Sequence, residues 1–247
     1  MSSSSVNVII PAYNAESSIK MAIDSVLQSN IECLKVIVID DCSTDRTNLV
    51  CREINDERLI LITNEENRGV SYSRNRGLQF KSDYVAFLDA DDYWYQDKLR
   101  QQLLVLQNSD PDMIGCYTHL VINGKKIREA PNKIDFKGLC FNGNDIGMSS
   151  SIIKYSAIKD LRFKSIGHED YKFWLDLLSN GGYFKLSSDS QDRKQMTYYK
   201  KTQKSLSSNK PKSALWTINI LFSILPAHLA IYCSVRYILK HIKKFIN

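Results

Sequence analysis

Short apolar runs alternate with helical patterns through the N-terminal half of this chain, and the alternation limits the folds that it can adopt. The runs cover residues 6–10, 36–39, 59–62 and 84–88 and are rich in β-prone residues. Between them, apolar residues recur at three- and four-residue spacing, as in amphipathic helices. Strands that alternate with such helices form right-handed βαβ units. We therefore predict an α/β fold with a Rossmann-like, mostly parallel sheet and helices on both faces.

Local signals set the expected limits of the first elements. Pro11 is expected to end the first strand, because proline donates no hydrogen bond to a sheet. Ser43 and Thr44 are candidate N-caps for the second helix. The third helix is predicted over residues 70–80.

The pattern changes after residue 106. Two β-prone runs, residues 116–122 and 126–134, flank Asn123-Gly124, which is a strong hairpin signal. Residues 148–153 are predicted to form another strand. A further helix is predicted to begin within residues 167–170 and to end at Gly181-Gly182.

Polar residues follow three of the predicted strands directly. Tyr13-Asn14, Asp40-Asp41 and residues 89–92 each lie just past the carboxyl end of a strand. In parallel α/β sheets, ligands bind beyond these ends, at the point where the strand order reverses. Acidic loops without a function are also common there, so an interpretation as surface loops stays open.

The carboxylates of residues 89–92, which read Asp-Ala-Asp-Asp, would repel one another unless a cation lay between them. Hard oxygen ligands at this spacing suit Mg²⁺ or Mn²⁺ bound jointly with a phosphate. An EF-hand loop is excluded, because its fifth, sixth and twelfth positions would be Tyr93, Trp94 and Arg100. A turn followed by a helix N-cap is the structural alternative.

Two further carboxylates, Glu169 and Asp170, are candidates for a general base that activates an incoming hydroxyl. Their alternative role is structural, since acidic residues in the first turn of a helix complement its dipole. The sequence contains neither G-x-G-x-x-G nor G-x-x-x-x-G-K-[ST], which argues against a nicotinamide-dependent Rossmann enzyme and against a P-loop NTPase.

Five motifs in this chain resemble, in order and spacing, those of the family 2 glycosyltransferases. They are Val-Ile-Ile-Pro-Ala-Tyr-Asn at 8–14, Val-Ile-Asp-Asp-Cys-Ser-Thr-Asp at 38–45, Asn-Arg-Gly-Val to Arg-Asn-Arg-Gly at 67–77, Leu-Asp-Ala-Asp-Asp at 88–92 and His-Glu-Asp at 168–170. The resemblance covers roughly residues 6–185. It implies a GT-A fold, an inverting mechanism, a nucleotide-sugar donor and a divalent cation, Mg²⁺ or Mn²⁺.

The same resemblance implies roles for residues on the donor side. Pro11, Tyr13 and Asn14 would line the nucleotide pocket, and Asp41 would contact the uracil of a UDP-sugar. Arg74 would lie near the diphosphate.

Among the acidic residues, the resemblance implies that Asp89 faces the ribose or sugar and that Asp91 ligates the metal. Asp170 would be the base, and Glu169 would bind the acceptor. One departure is clear: where many relatives read Tyr-Arg-x-His, residues 199–202 read Tyr-Lys-Lys-Thr, so a histidine ligand is missing. Either lysine could instead bind phosphate, or both could belong to a solvated tail.

The charge of the chain is divided unevenly along its length. Residues 193–247 contain 11 Lys and Arg and no Asp or Glu, which leaves 22 basic and 27 acidic side chains, a net charge of −5, for the rest. We predict a catalytic domain at 1–192, with a donor part at about 1–110 and an acceptor part at 111–192, followed by a membrane-associating tail. Residues 214–232 are mostly apolar but marginal in length for a membrane span.

The tail is predicted to form amphipathic or apolar helices in the interface of an anionic membrane, with a membrane span and a core-packing helix as alternatives. We expect no nucleic-acid partner. Membrane attachment suits a lipid-linked acceptor. The expected enzyme is peripheral, on the cytoplasmic face of the inner membrane.

The predicted reaction is the transfer of a glucose- or galactose-type hexose from a UDP-sugar to a sugar linked to undecaprenyl diphosphate, in O-antigen or capsule synthesis. A nucleotide-sugar-binding module without turnover and a nucleotidyltransferase are the rival hypotheses. The latter would need a basic, glycine-rich loop after its first strand, which residues 11–15 do not provide. The four histidines, and the tryptophans Trp94, Trp174 and Trp216, are predicted to be structural or surface residues rather than ligand contacts.

Overall fold

The computed structural model describes residues 4–188, 191–200 and 210–246, which contain two β-sheets. The strands are β1 (Val6–Ala12), β2 (Leu34–Asp40), β3 (Leu59–Thr63), β4 (Tyr84–Phe87), β5 (Tyr93–Trp94), β6 (Met113–Tyr117), β7 (Leu120–Ile122), β8 (Lys126–Arg128), β9 (Lys133–Ile134), β10 (Ile152–Lys154), β11 (Tyr183–Leu186) and β12 (Thr197–Tyr199). The helices are α1 (Ile19–Leu27), α2 (Thr47–Arg52), α3 (Val70–Gly77), α4 (Lys98–Gln107), α5 (Phe136–Asn142), α6 (Tyr155–Ile158), α7 (Glu169–Ser179), α8 (Lys210–Ile224) and α9 (Ala227–Ile246).

The larger sheet has eight strands in the order β3-β2-β1-β4-β10-β6-β11-β9. Strand β1 pairs in parallel with both β2 and β4, and β2 pairs in parallel with β3. The strand order therefore reverses at β1, where α/β sheets open a crevice at the carboxyl ends of their strands. This parallel half, flanked by helices, confirms the predicted α/β fold.

Both faces of β1 are buried. Val8 and Ile10 belong to a core cluster with residues of α1 and α4. Ile9 belongs to a second cluster, which contains Trp174 of α7. A strand covered on both faces has no polar side, which explains why its sequence is an apolar run interrupted only by Asn7, whose side-chain amide donates to the Phe80 carbonyl.

The second half of the chain completes the larger sheet and forms a smaller one. Strand β10 pairs antiparallel with both β4 and β6, and so joins the parallel half to β6 and β11. The smaller sheet has the order β5-β12-β7-β8. Its strand β12 comes from beyond residue 192, where the catalytic domain was predicted to end. The division of the chain into domains at that position stays a prediction.

The first strand does not end at Pro11 as predicted. It continues to Ala12, with Pro11 opposite Ile39 and Ala12 opposite Asp40 of β2. On the other side, the pairing with β4 stops at Ile9. A proline is tolerated here because the ladder on one side of the strand has already ended.

The predicted N-caps of the second helix are also wrong. Helix α2 begins at Thr47, and its first turn is held by the Asp45 carboxylate, which accepts a hydrogen bond from the Thr47 amide (2.9 Å). Ser43 and Thr44 instead bond to Asn14 across the crevice: the Asn14 amide donates to the Ser43 hydroxyl, and the Asn14 side-chain oxygen accepts from the Thr44 amide.

The segment 148–153 is a strand only at its end. Residues Met148–Ser150 form a 3₁₀ turn, closed by hydrogen bonds from the amide and the hydroxyl of Ser150 to the Gly147 carbonyl, and β10 follows. The hairpin is confirmed, since β7 pairs antiparallel with β8. Asn123 and Gly124 have φ of 49° and 71°, left-handed values that suit the central residues of the tight turn closed by the bond from the Lys125 amide to the Ile122 carbonyl.

Helices α8 and α9 pack against each other and against the second core cluster. Leu221 of α8 and Cys233 of α9 are buried in that cluster. Tyr237 of α9 lies directly over Gly143, where a Cβ would come within 2.8 Å of its ring. Within the described residues, no helix combines the length and the apolar character that crossing a bilayer requires. Because Leu221 and Cys233 are buried in the core cluster, one side of these two helices packs on the core, as the core-packing alternative for the tail predicts.

Candidate active site

Two cavities open at the carboxyl end of the larger sheet and share one wall. The β1-side cavity, of about 540 Å³, is lined by residues 11–15, 17 and 18, by Asp41 and by the start of α3. The α7-side cavity, of about 380 Å³, is lined by residues 144–149, the start of α7 and Trp216. The residues common to both walls are Arg74, Asp89, Asp91, Glu169 and Lys200.

The β1-side cavity contains the three residues predicted from the first motif, Pro11, Tyr13 and Asn14. Tyr13 is 50% exposed, so part of this residue is available to a ligand. Asn14 has a left-handed backbone (φ 49°), which turns the chain away from β1. Its side-chain oxygen accepts the Thr44 amide at 2.8 Å, and this contact joins the loops after β1 and β2.

Asp41 lies at the floor of the β1-side cavity and is 3% exposed. Its carboxylate accepts hydrogen bonds from the Arg68 amide (3.0 Å), the Gly69 amide (2.7 Å) and the Asn64 side chain. Gly69 has φ of 84°, a conformation that glycine adopts without strain. Asp41 therefore fixes the loop between β3 and α3, and its predicted contact with a uracil stays a prediction.

Arg74 lies between the two cavities and is 4% exposed. Its guanidinium donates to Asp89 and to Glu169, each at 2.9 Å, so it joins the loop after β4 to the first turn of α7. Burial alone would lower the pKa of Arg74, but the charges of Asp89 and Glu169 outweigh it, and the pKa is raised. Burial raises the pKa of Glu169, against the attraction of Arg74.

Asp91 and Asp92 are adjacent in sequence but have different surroundings. Asp91 is exposed in the shared wall, and burial of part of its carboxyl together with the charge of Asp89 raises its pKa. Asp92 is buried and accepts hydrogen bonds from the Ser149 hydroxyl (2.6 Å) and the Lys200 amide (2.8 Å). Asp92 therefore connects this loop to the 3₁₀ turn and to the end of β12.

The carboxylates of this wall fit a divalent cation of the Mg²⁺ type. Among the described residues, no group of three acidic, histidine or cysteine side chains forms a complete metal cage. Mg²⁺ commonly takes one or two protein carboxylates and completes its shell with phosphate and water. Asp91 accepts no side-chain hydrogen bond from another described residue, and its pKa is raised by burial and by the charge of Asp89, both of which a bound cation would offset.

Asp170 lines the α7-side cavity but not the β1-side one. One carboxylate oxygen accepts from the Asn144 side chain at 2.7 Å, and the other accepts from the Tyr171 amide at 2.7 Å. The carboxylate is thus held at the start of α7, in the wall of this cavity. Glu169 lies in the wall between the cavities, so the two neighbouring carboxylates face different environments.

The structure brings together all nine residues predicted from the motifs: each lines one cavity or both. It adds residues that the sequence did not single out, because Asn144 and Ser149 lie in a segment without a recognisable motif. Lys200, one of the two lysines considered for phosphate binding, lies in the shared wall. Residues 201 and 202 lie outside the described residues.

His168 and Trp216, predicted to be structural or surface residues, both line the α7-side cavity. Trp94 and Trp174 are buried as expected, and their indole N–H groups donate to backbone carbonyls of Ser149 and Ile146. No sequence signal separates Trp216 from these two, because its place at the cavity depends on how α8 packs.

The fold and the two cavities together define an α/β enzyme in which two binding cavities meet at an acidic shared wall. Residues 7–175 match the family Glycosyl transferase family 2. The chain is 34% identical over 245 residues to UDP-Glc:alpha-D-GlcNAc-diphosphoundecaprenol beta-1,3-glucosyltransferase WfgD of Escherichia coli, covering 97% of this chain and 94% of that protein. It is 32% identical over 240 residues to WfaP of the same organism, whose name states the same activity. This alignment covers 94% of this chain and 92% of WfaP.

This chain therefore belongs to glycosyltransferase family 2 and is a glycosyltransferase. Solved structures support the fold. Staphylococcus aureus TarS residues 1–349 with UDP-GlcNAc superimposes with a TM-score of 0.74 at 19% identity, over 97% of this chain and 73% of that one. Mannosyltransferase PcManGT of Pyrobaculum calidifontis with GDP-Man and Mn²⁺ superimposes with a TM-score of 0.68 at 17% sequence identity. The match covers 97% of this chain and 75% of that one. The predicted GT-A fold is confirmed.

Proposed function

We propose that this enzyme transfers glucose from UDP-glucose to a sugar carried on a lipid diphosphate, as a step in surface polysaccharide synthesis. The observation that carries the proposal is the meeting of two cavities at one acidic wall, with a carboxylate, Asp170, on one side only. The names of two relatives aligned over nearly the whole chain, WfgD and WfaP, support UDP-glucose and a diphosphoundecaprenol-linked acceptor.

The β1-side cavity is the donor site in this proposal. Tyr13 and Asn14 line its nucleotide end, and Asp41 at its floor contacts the base. Asp89 faces the ribose or the sugar. Lys200 and Arg74 in the shared wall supply positive charge next to the diphosphate.

Asp91, with help from Asp89, would hold a divalent cation, Mg²⁺ or Mn²⁺, at the shared wall. When bound, this cation neutralises the negative charge that develops on the departing diphosphate. The presence of Mn²⁺ in the PcManGT complex supports this assignment.

The α7-side cavity is the acceptor site in this proposal. Asp170 takes the proton of the acceptor hydroxyl, and the oxygen attacks the anomeric carbon from the side opposite to the diphosphate. Asn144 holds the Asp170 carboxylate in place for this step. A single displacement inverts the anomeric centre, which is consistent with the β linkage in the names of both relatives, because UDP-glucose is α-linked.

A transfer assay tests the donor, the acceptor and the metal together. With UDP-glucose, Mn²⁺ and a synthetic GlcNAc-diphosphate lipid, we expect a β-linked glucosyl product. Excess chelator should abolish product formation, and Asp91→Asn should lower kcat/KM at fixed Mn²⁺ about a hundredfold, since the lost charge contributes several kcal/mol.

The matched control for this assay is Asp97→Asn, which changes the charge of a nearby loop carboxylate away from both cavities. It should retain nearly full activity. Full activity in chelator would contradict the metal assignment, and strong transfer to free sugars but none to the lipid diphosphate would contradict the acceptor.

We further propose that α9 attaches the enzyme to an anionic membrane at its cytoplasmic face, where such acceptors lie. Its outer side carries exposed apolar side chains at three- and four-residue spacing: Ile231, Tyr232, Val235, Ile238 and Leu239. These exposed side chains alternate with Arg236 and Lys240, and the chain from residue 193 onward has 11 basic residues and no acidic ones. Apolar burial plus basic charge is the combination that binds a helix in a lipid interface.

Vesicle co-sedimentation tests the membrane proposal. The full chain should bind vesicles of phosphatidylglycerol and phosphatidylethanolamine, with weaker binding at high salt. The double variant Ile238→Ser and Leu239→Ser should weaken binding at least about tenfold, because two apolar side chains are lost from the interface. Leu104→Ser, an equally exposed position on α4, should bind normally. Equal binding by all three proteins would exclude α9 as the attachment site.

A further inference from the structure

Helix α8 supplies one wall of the α7-side cavity through Trp216. The indole ring lies flat against Gly167, where an added Cβ would come within 2.1 Å of the ring. Glycine is therefore required at this position if the ring is to lie so close to the start of α7. Trp216 is only partly buried, and no described residue accepts a hydrogen bond from its indole N–H, unlike those of Trp94 and Trp174.

The residue after Gly167 strengthens the connection. His168 has a left-handed backbone (φ 58°, ψ 47°), which costs about 1–2 kcal/mol for a residue other than glycine. Its ring nitrogen Nε2 hydrogen-bonds to the Ser213 hydroxyl of α8 at 2.8 Å. The ring also meets Trp216 edge to face, with centroids 5.5 Å apart. Helix α8 thus holds both the ring of Trp216 and the turn that leads into Asp170.

We propose that Trp216 is the platform on which the ring of the acceptor sugar packs, so that α8 sets acceptor recognition. The inference rests on the proposed function, because it concerns the acceptor side of the same reaction. An indole face binds the C–H face of a hexose ring, while the hydroxyls at the edge of that ring stay available to polar groups. Asp170, two residues beyond His168, is the polar group placed to receive one of them.

The charge beside the platform fits an acceptor that carries a diphosphate. The Lys212 ammonium lies 5.0 Å from the centre of the Trp216 ring. Arg128, on the opposite strand β8, lines the same cavity. A sugar packed on Trp216 would therefore lie in the cavity that Asp170 and Arg128 also line, with the Arg128 guanidinium available to a phosphate group.

Steady-state kinetics on the full chain test the platform. Trp216→Ala should raise the KM for the GlcNAc-diphosphate lipid about tenfold or more, and leave the KM for UDP-glucose and the rate of donor hydrolysis without acceptor within twofold. Trp216→Phe keeps an aromatic face and should lie within threefold of the unmodified enzyme. The control is Leu215→Ala, an exposed residue of α8 that lines neither cavity.

Tryptophan fluorescence gives a second readout, which reports acceptor binding rather than turnover. Since Trp94 and Trp174 are buried, titration of the unmodified protein with the acceptor should change the emission of Trp216, and Trp216→Phe should lose this change. Normal transfer with an unchanged acceptor KM in Trp216→Ala, or an emission change that persists in Trp216→Phe, would overturn the platform alone. An unmodified enzyme that transfers nothing to the lipid would overturn the proposed function and, with it, this inference.

Discussion

Replacement of Asp170 by asparagine is expected to lower kcat about 10³-fold, with little change in the KM for UDP-glucose. The magnitude is that of a lost general base, which typically contributes about 10²–10⁴ in rate. Asparagine has nearly the same shape, and its one side-chain oxygen can still accept from Asn144 or from the Tyr171 amide, but it cannot accept the proton of the acceptor hydroxyl. The loss should therefore fall on the chemical step rather than on folding or donor binding.

Two measurements make the Asp170 prediction specific. The binding of UDP and Mn²⁺, followed by thermal denaturation, should be the same in Asp170→Asn and in the unmodified enzyme. Asp176→Asn is the matched control, because Asp176 lies on the same helix and pairs with Lys172 away from both cavities. A variant that keeps more than a tenth of the original kcat would assign the proton to another group, and Glu169 would be the next to test.

Much of the donor side could be predicted from the sequence because its residues lie at fixed offsets from strand ends. Tyr13 and Asp41 follow a parallel strand directly and Asp89 lies two residues past one, and the topology alone brings such positions to one edge of the sheet. The predicted limits of individual strands were wrong where local hydrogen bonds determine the backbone conformation. Pro11 stays within β1 because the pairing of β1 with β4 ends before this residue. The 3₁₀ turn before β10 depends on hydrogen bonds to the Gly147 carbonyl.

The acceptor side could be predicted less well because its residues come from distant segments without periodic signals. Asn144 meets Asp170 across 26 positions, and Ser213 meets His168 across 45. Trp216 has the same local sequence features as a packing residue, and only the docking of α8 onto Gly167 places it at the cavity. Contacts of this kind follow from tertiary packing, which local pattern does not encode.

The pairing of Arg74 with both Asp89 and Glu169 does not follow from the sequence, in which the family resemblance implies only that Arg74 lies near the diphosphate. The two roles are compatible. A guanidinium that joins the loop after β4 to the first turn of α7 fixes the distance between the donor and acceptor sides. Its removal should therefore affect stability and catalysis together.

Arg74→Met is accordingly expected to lower the free energy of unfolding by about 3–5 kcal/mol at pH 8, because it leaves two carboxylates in the wall without their partner. The deficit should shrink at pH 5. A buried carboxyl whose folded-state pKa is raised, as that of Glu169 is, destabilises the fold while ionised, and this penalty disappears as the pH falls through that pKa. Arg74 itself stays charged throughout this range, since the charges of Asp89 and Glu169 raise the already high pKa of its guanidinium.

Denaturant unfolding at the two pH values measures this effect, with Arg76→Met as the matched control. Arg76 lies on the same helix and donates to the neutral oxygens of Thr63 and Asn64, so its loss should cost only about 1 kcal/mol and show little pH dependence. The double variant Arg74→Met and Glu169→Gln should recover part of the stability at pH 8, because one of the unpaired charges is gone, yet it should stay impaired in transfer. An Arg74→Met deficit that is equal at both pH values would mean that lost packing, rather than the charges of Asp89 and Glu169, accounts for the destabilisation.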